Sequence, residues 1–270
     1  MESFDNRVRE FWEHRAAFLE RAGSNDLVAK QLEIAAIARH VRDGMQVLEV
    51  GCGNGITAIE LVRRFDIDLT GLDYAAEMIR AARGFLQEGE SGLRGQVRFE
   101  VGDVRDFPAM EGRFDLAYTE RVLINLPDWP AQRDAIATII SQLAPGGRYL
   151  MCENSQNGLE RINEMRRMLE LEPIFPPWHN RYLVDEEVAG LAIPGVRLVE
   201  VECYSSTYYF LSRVVNARLA ANQGEQPSYD APVNQLALRL PSIGDFGQGK
   251  LWIWEKSADR VRGEGGDAHA

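Results

Sequence analysis

Lysine is nearly absent from this chain: Lys30, Lys250 and Lys256 are the only three, and arginine supplies the rest of 30 basic residues set against 41 acidic ones. The formal charge of -11, with no dense basic cluster, would repel a polyanion and argues against a nucleic-acid partner. Cysteine is scarce as well. Cys52, Cys152 and Cys203 are an odd number without metal-ligand spacing, which favours reduced thiols over a disulfide framework or a zinc site. No cluster of Asp and His with ligand spacing appears, so no metal is expected. No apolar run approaches the roughly 18 residues of a membrane span. The stretch MESFDNRVREFW is charged and lacks an apolar signal core, so a cytoplasmic protein with no membrane partner is expected.

What the chain does have is globular composition, 45% hydrophobic and 26% charged, over 270 residues. That length allows one α/β domain with a substantial insertion. An amphipathic helix is predicted over 4–21, a break at Gly23-Ser24-Asn25-Asp26, and a second helix over 27–42 capped by Asp26 or Asn25. From residue 45 the rhythm changes. Apolar runs at 46–50, 68–72, 97–101, 114–118 and 147–152 alternate with helical stretches near 55–65, 75–87 and 129–143, the pattern of a parallel sheet covered on both faces. Beyond 153 come a helix at 158–171, the Pro-rich loop IFPPWHN, a short helix near 184–191, a strand at 196–204, a helical stretch over 209–222, a polar link and a last strand at 250–256. The division expected is a helical arm over 1–44, an α/β domain over 45–256 with cap insertions at about 154–195 and 205–248, and a frayed tail over 257–270.

The chemistry is signalled at Val47-Leu48-Glu49-Val50-Gly51-Cys52-Gly53-Asn54-Gly55, a strand entering a glycine-rich turn and then a helix. Such a turn lets backbone N–H groups approach a ligand, and the helix presents its positive end, so a cofactor belongs at this strand's carboxyl edge. A dinucleotide fingerprint would need its third small residue at Ile56, and here the glycine falls at Gly55, which weakens a nicotinamide reading. Two further strand ends carry acids: Leu69-Thr70-Gly71-Leu72-Asp73-Tyr74 and Val97-Arg98-Phe99-Glu100-Val101-Gly102-Asp103-Val104. A carboxylate in the Asp73 position can accept two ribose hydroxyls and is the expected ribose residue; it can cap the following helix as well, since the two roles can coexist.

The string VLEVGCGNG closely resembles the first motif of class I S-adenosylmethionine-dependent methyltransferases. The resemblance runs strongly over about 45–153 and implies a doubly wound, seven-stranded, mostly parallel α/β sheet, with the terminal KLWIWEK as the added antiparallel strand. It implies S-adenosylmethionine as cofactor, with Glu49, Gly51, Cys52 and Gly53 around its methionine end, Asp73 on the ribose, Tyr74 and Met78 flanking the adenosine, and Asp103 and Val104 on the adenine. It also places Thr119, Glu120 and Arg121 beside the sulfonium, and puts Asn125 where many relatives carry histidine.

For the acceptor, a small molecule, the sequence offers candidates but no identity. Arg121, Asn125, Asn154 and Trp178 are the expected substrate residues, and His179 and Glu153 the expected catalytic ones. His179 stands in the loop Pro176-Pro177-Trp178-His179-Asn180, which should cover the sheet's carboxyl edge, whereas His14, His40 and His269 lie elsewhere. A sugar or a carboxylate-bearing intermediate is the preferred acceptor, methylated on oxygen or nitrogen by a monomer or homodimer. A nicotinamide oxidoreductase and a non-catalytic cofactor-binding regulator are the alternatives.

Overall fold

The computed structural model describes residues 3–89, 91–107 and 113–258; the expected tail beyond 258, with His269, lies outside the described residues. Seven strands form one sheet: β1 Gln46–Val50, β2 Asp68–Asp73, β3 Gln96–Val101, β4 Phe114–Glu120, β5 Leu143–Asn154, β6 Val196–Glu202 and β7 Gly249–Lys256. Their order is β3-β2-β1-β4-β5-β7-β6. The first five are parallel, and β7 runs antiparallel between β5 and β6. The sheet is therefore mostly parallel and doubly wound, as the apolar runs predict. Chain direction across the sheet reverses between β1 and β4, and crevices for ligands open at the carboxyl ends of strands at such a switch point.

Alternation along each strand builds two cores. Val47, Leu69, Phe99, Leu116, Tyr118, Leu150 and Ile253 face α2 Leu27–Ala38, α3 Ile56–Arg64 and α4 Ala76–Glu88. Leu48, Val50, Leu72, Ala117, Tyr149, Met151, Trp252 and Trp254 face α5 Trp129–Ser141, whose Ala135, Ile136, Ile139 and Ile140 recur at helical spacing.

The predicted helix over 4–21 divides. α1 Phe4–Arg15, capped by the Ser3 hydroxyl, gives way to a tighter 3₁₀ turn over Ala16–Arg21. There the Arg15 guanidinium donates to the carbonyls of Ala22 (2.9 Å) and Arg21 (2.6 Å), drawing the chain back on itself. α2 begins where expected, with Asp26 Oδ1 accepting the Ala29 N–H at 3.1 Å.

Two segments form a cap over the sheet's carboxyl edge. Between β5 and β6 lie α6 Gln156–Met168 and the short α7 Asp185–Ala189. Between β6 and β7 lie α8 Ser206–Tyr209, a π-helical turn over Phe210–Val215, α9 Asn216–Gln223 and α10 Pro232–Gln235, which runs into a 3₁₀ turn over Leu236–Arg239. The single helix predicted over 209–222 is thus interrupted by a wide turn, and α10, four residues long, is too short to show periodicity. The cap is seated on the start of α2: Val28 and Ala29 pack with Ile162, Tyr208, Tyr209, Val214 and Ala237.

Candidate active site

The loops after β1, β2, β3 and β4 open into one cavity of about 420 Å³, roofed by α1 and the cap. Its floor is the turn after β1. Gly51, with φ +74°, lies so close to Val122 that a Cβ there would sit 2.3 Å from Val122 Cγ2. Gly55 at φ +76° likewise faces Phe99, 2.6 Å from where its Cβ would be. Glycine is required at both, and the turn presents bare backbone to the cavity.

Glu49, Gly51, Cys52 and Gly53 line the cavity, as do Tyr74, Met78, Asp103, Val104, Glu120, Arg121, Asn125, Asn154 and His179. The sequence motifs had these residues converging from separate strands, and they do. Asp73 plays a different part from the one expected of a free ribose ligand. Its carboxylate accepts the Gly53 N–H at 2.8 Å and the Ala75 N–H at 2.9 Å, tying the glycine turn to the start of α4. Gly53 and Tyr74 flank it in the cavity wall. Burial, offset by those two N–H bonds, pushes the Asp73 carboxyl up to about 6. Asp103 is held by Arg105 through Nε (3.0 Å) and Nη2 (2.7 Å), and Arg105 also pairs with Asp5 of α1 at 2.6 Å.

Two expected roles are corrected. Glu153 does not line the cavity. It is 1% exposed, and it accepts the N–H groups of Val122 (3.0 Å) and Leu123 (3.1 Å) on Oε1 and of Ile124 (3.4 Å) on Oε2. A carboxylate so engaged shapes the turn after β4 and has no reach to an acceptor. Trp178 also lies outside the cavity wall, 52% exposed, its ring meeting Phe4, Phe11 and the Arg7 guanidinium where α1 lies against the cap loop.

His179 faces the cavity from the cap loop, against Phe11 at 4.3 Å between ring centroids. It is 8% exposed and its Nδ1 has no hydrogen-bond partner. Burial, together with the Arg15 charge, lowers its pKa, so the ring is neutral near pH 7 and able to accept a proton. Asn125 ties the roof together, its Oδ1 accepting Trp12 Nε1 at 3.1 Å and Asn180 Nδ2 at 3.2 Å.

Sequence reading missed the residues that balance charge here. Lys30, on α2, donates to Glu120 Oε1 at 2.6 Å, and the Thr57 hydroxyl donates to Glu120 Oε2 at 2.7 Å. Arg121, at a left-handed φ of +57°, pairs through Nε with Glu33 Oε1 at 3.1 Å and through Nη2 with Glu120 at 3.5 Å. Burial alone would raise Glu120, but Lys30 and Arg121 outweigh it and hold the group near 2. Burial raises Glu33 well above the carboxylate range despite Arg121. A lysine and an acid three residues apart on an otherwise apolar helix were the available signal. Tyr182, Tyr209, Arg213 and Tyr229, also in the wall, come from cap segments that carry no motif.

The cavity has the donors and acceptors that the cofactor implied by the motifs would need. Glu49 Oε2 and the Tyr74 hydroxyl are buried without a partner, next to the bare backbone of Gly51 and Gly53. Comparison with known proteins agrees. A family model described as a methyltransferase domain matches residues 47–147. Over those residues the chain is similar to methyltransferases, and its sheet has the class I methyltransferase fold. O-methyltransferase cnsE of Penicillium expansum is 33% identical over 110 residues, covering 41% of this chain and 38% of that protein. The chain spans 22% to 58% of the lengths of the curated relatives it matches. Magnesium protoporphyrin IX methyltransferase from Synechocystis PCC 6803, solved with S-adenosylmethionine, shares the fold at a TM-score of 0.59 and 14% identity, over 95% of this chain and 99% of that one. The [4+2]-cyclase SpnF does so at 0.55 and 22%, over 85% and 81%.

Two outcomes follow for this methyltransferase domain. Glu153→Ala strands three backbone N–H groups in a dry interior and should cost on the order of 3 kcal/mol in urea unfolding; wild-type stability in that variant would mean the turn does not depend on the carboxylate. Burial, with Lys30 opposing it and Glu120 adding to it, pushes the Glu49 carboxyl up to about 8. Because this lies above the ordinary value, the stability Glu49 contributes is present in acid and is lost as pH rises toward about 8. The stability of Glu49→Gln relative to wild type, without cofactor, should therefore grow across that window, and a pH-independent difference would contradict it.

Proposed function

We propose that this protein transfers the methyl group of S-adenosylmethionine to an oxygen or nitrogen of a small-molecule acceptor, with a sugar or a carboxylate-bearing intermediate as the preferred class. The reading rests chiefly on one observation: residues from four successive strand ends converge, in the order the methyltransferase motifs require, on a single cavity. Glu49, Gly51, Cys52 and Gly53 would hold the methionine end, Asp73, Tyr74 and Met78 the ribose and adenosine, Asp103 and Val104 the adenine, and Glu120 the region near the sulfonium. When bound, the cofactor supplies an electrophilic methyl group on a sulfonium.

The protein's own task is alignment and exclusion of water. The roof of α1 and cap, joined through Asn125, closes the cavity above the strand ends. Neutral His179 would accept the proton of an acceptor hydroxyl as that oxygen takes up the methyl group the cofactor supplies. Arg121, Asn125 and Asn154 contact the acceptor in this reading.

A nicotinamide oxidoreductase is disfavoured by the sheet itself, because the dinucleotide fold places its strands 3-2-1-4-5-6 without an antiparallel strand between the fifth and sixth. Fold alone does not decide the reaction. The test therefore has two stages. Calorimetry should show S-adenosylhomocysteine binding that weakens by on the order of 2 kcal/mol in Asp73→Ala, through loss of the ribose contact and of the fastened glycine turn. Absence of binding by folded wild type would overturn the reading. Transfer of labelled methyl from S-adenosylmethionine to a panel of hydroxylated acids and sugars should then fall about 10²-fold or more in His179→Ala, with S-adenosylhomocysteine affinity retained. An unchanged rate would remove His179 from catalysis.

A further inference from the structure

The π-helical turn over Phe210–Val215 is the least regular element of the cap, and insertions of this kind re-aim side chains, often at functional sites. Here it carries Arg213 into the cavity wall, which Tyr209 and Arg121 also line. The rings of Tyr229, Tyr209 and Tyr208 surround its guanidinium at 4.8, 5.2 and 5.8 Å. Of the five N–H groups an arginine carries, one on Nη2 donates to Asp26 Oδ2 at 2.8 Å and one on Nη1 to Ser212 Oγ at 2.5 Å.

A purely structural account would make Arg213 a latch between cap and α2. That pairing fills Asp26 Oδ2, while Oδ1 accepts the Ala29 N–H at 3.1 Å and the Tyr208 hydroxyl, and with the Ser212 bond it uses two of the five N–H groups of Arg213, leaving three for a ligand. The cap reaches α2 independently through the apolar cluster around Val28 and Ala29. The charged groups lining this part of the cavity are Lys30, Arg121 and Arg213 with Asp26 and Glu120. The tyrosine rings hold the guanidinium flat, the geometry suited to a carboxylate.

A second group faces the same space. Gln248 Nε2 donates to the Tyr182 hydroxyl at 3.3 Å, the Asn154 side chain also interacts with that hydroxyl, and the 5% exposed Asn154 keeps an unpartnered Oδ1. These accept and donate to a neutral hydroxyl or amine.

We propose that Arg213 binds a carboxylate of the acceptor, and that Asn154 and Tyr182 hold a hydroxyl or amino group of the same molecule, so that the acceptor is a hydroxy or amino acid. The assignment rests on the methyltransferase reading and is tested on protein saturated with S-adenosylhomocysteine. The probes are para-hydroxybenzoate with para-hydroxybenzamide, and β-hydroxyoctanoate with β-hydroxyoctanamide, titrated by calorimetry. Loss of one charge-assisted bidentate contact corresponds to about ten-fold or more in affinity. In at least one pair the acid should bind about ten-fold more tightly than its amide to wild type. That preference should shrink to about unity in Arg213→Gln and fall only partly in Arg213→Lys, with S-adenosylhomocysteine affinity unchanged in both. Equal binding of acid and amide, no binding of either pair, or a preference that survives Arg213→Gln would overturn the proposal. Weakened S-adenosylhomocysteine binding in Arg213→Gln would assign the anion to the cofactor's own carboxylate and overturn it too. Failure of wild type to bind S-adenosylhomocysteine at all would instead overturn the methyltransferase reading beneath it.

Discussion

The Glu153 carboxylate, buried at the end of β5 and filled by three backbone N–H groups from the turn after β4, is the interaction on which the site depends. Through it the turn is wound tightly enough for Val122 to press against Gly51, which in turn leaves the glycine backbone bare toward the cavity. The same turn delivers Asn125, whose carbonyl oxygen joins Trp12 of α1 to Asn180 of the cap loop. Floor and roof are therefore referred to one acid. Burial pushes that acid up to about 7, against the pull of the N–H groups, so the fastening is made by a group that would be neutral in a still drier setting.

A second acid does comparable work at β2. Asp73 ties Gly53 to Ala75 and so couples the glycine turn to the start of α4. A ligand that approaches Asp73 meets a carboxylate whose oxygens are each already engaged once, and an oxygen with two lone pairs has room for one more donor. The structural and ligand roles are compatible on those grounds, as the sequence reading allowed.

How much of this was legible follows from where the constraint is local. The strand, glycine turn and helix at 46–64 obey short-range rules: apolar alternation, positive φ only glycine tolerates, a helix start. The acids at 73 and 103 were legible because they sit one and two residues past an apolar run, where a strand must end. Glu153 shares that position yet was misjudged, because its partners come from residues 122–124, and no spacing in the chain announces that a side chain will turn back toward a neighbouring strand. Lys30 with Glu120, and Arg213 with Asp26, are ion pairs 90 and 187 residues apart in sequence, set by the packing of α2 against the end of β4 and of the cap on the start of α2. The π-helical turn has no periodicity of its own and reads as a longer helix. Legibility thus falls from the cofactor end of the cavity to the acceptor end.

That gradient has a physical origin in how the two ends are built. The cofactor end is made of backbone and of side chains one residue from a strand, so its geometry is inherited from the hydrogen-bond register of the sheet, and any sequence that keeps the sheet keeps the site. The acceptor end is made of side chains on short helices and loops, seated on α2 by a cluster of seven buried residues and a few ion pairs. Each of those seats contributes little alone, so the cap can be resculpted without disturbing the sheet. Such a division lets one fold serve many acceptors. The groups proposed to recognise the acceptor fit that division: a cap arginine placed in the wall by a widened helical turn and, at the end of β5, an amide oxygen left open near a cap tyrosine, both of which a core selected for stability alone would have replaced with apolar side chains.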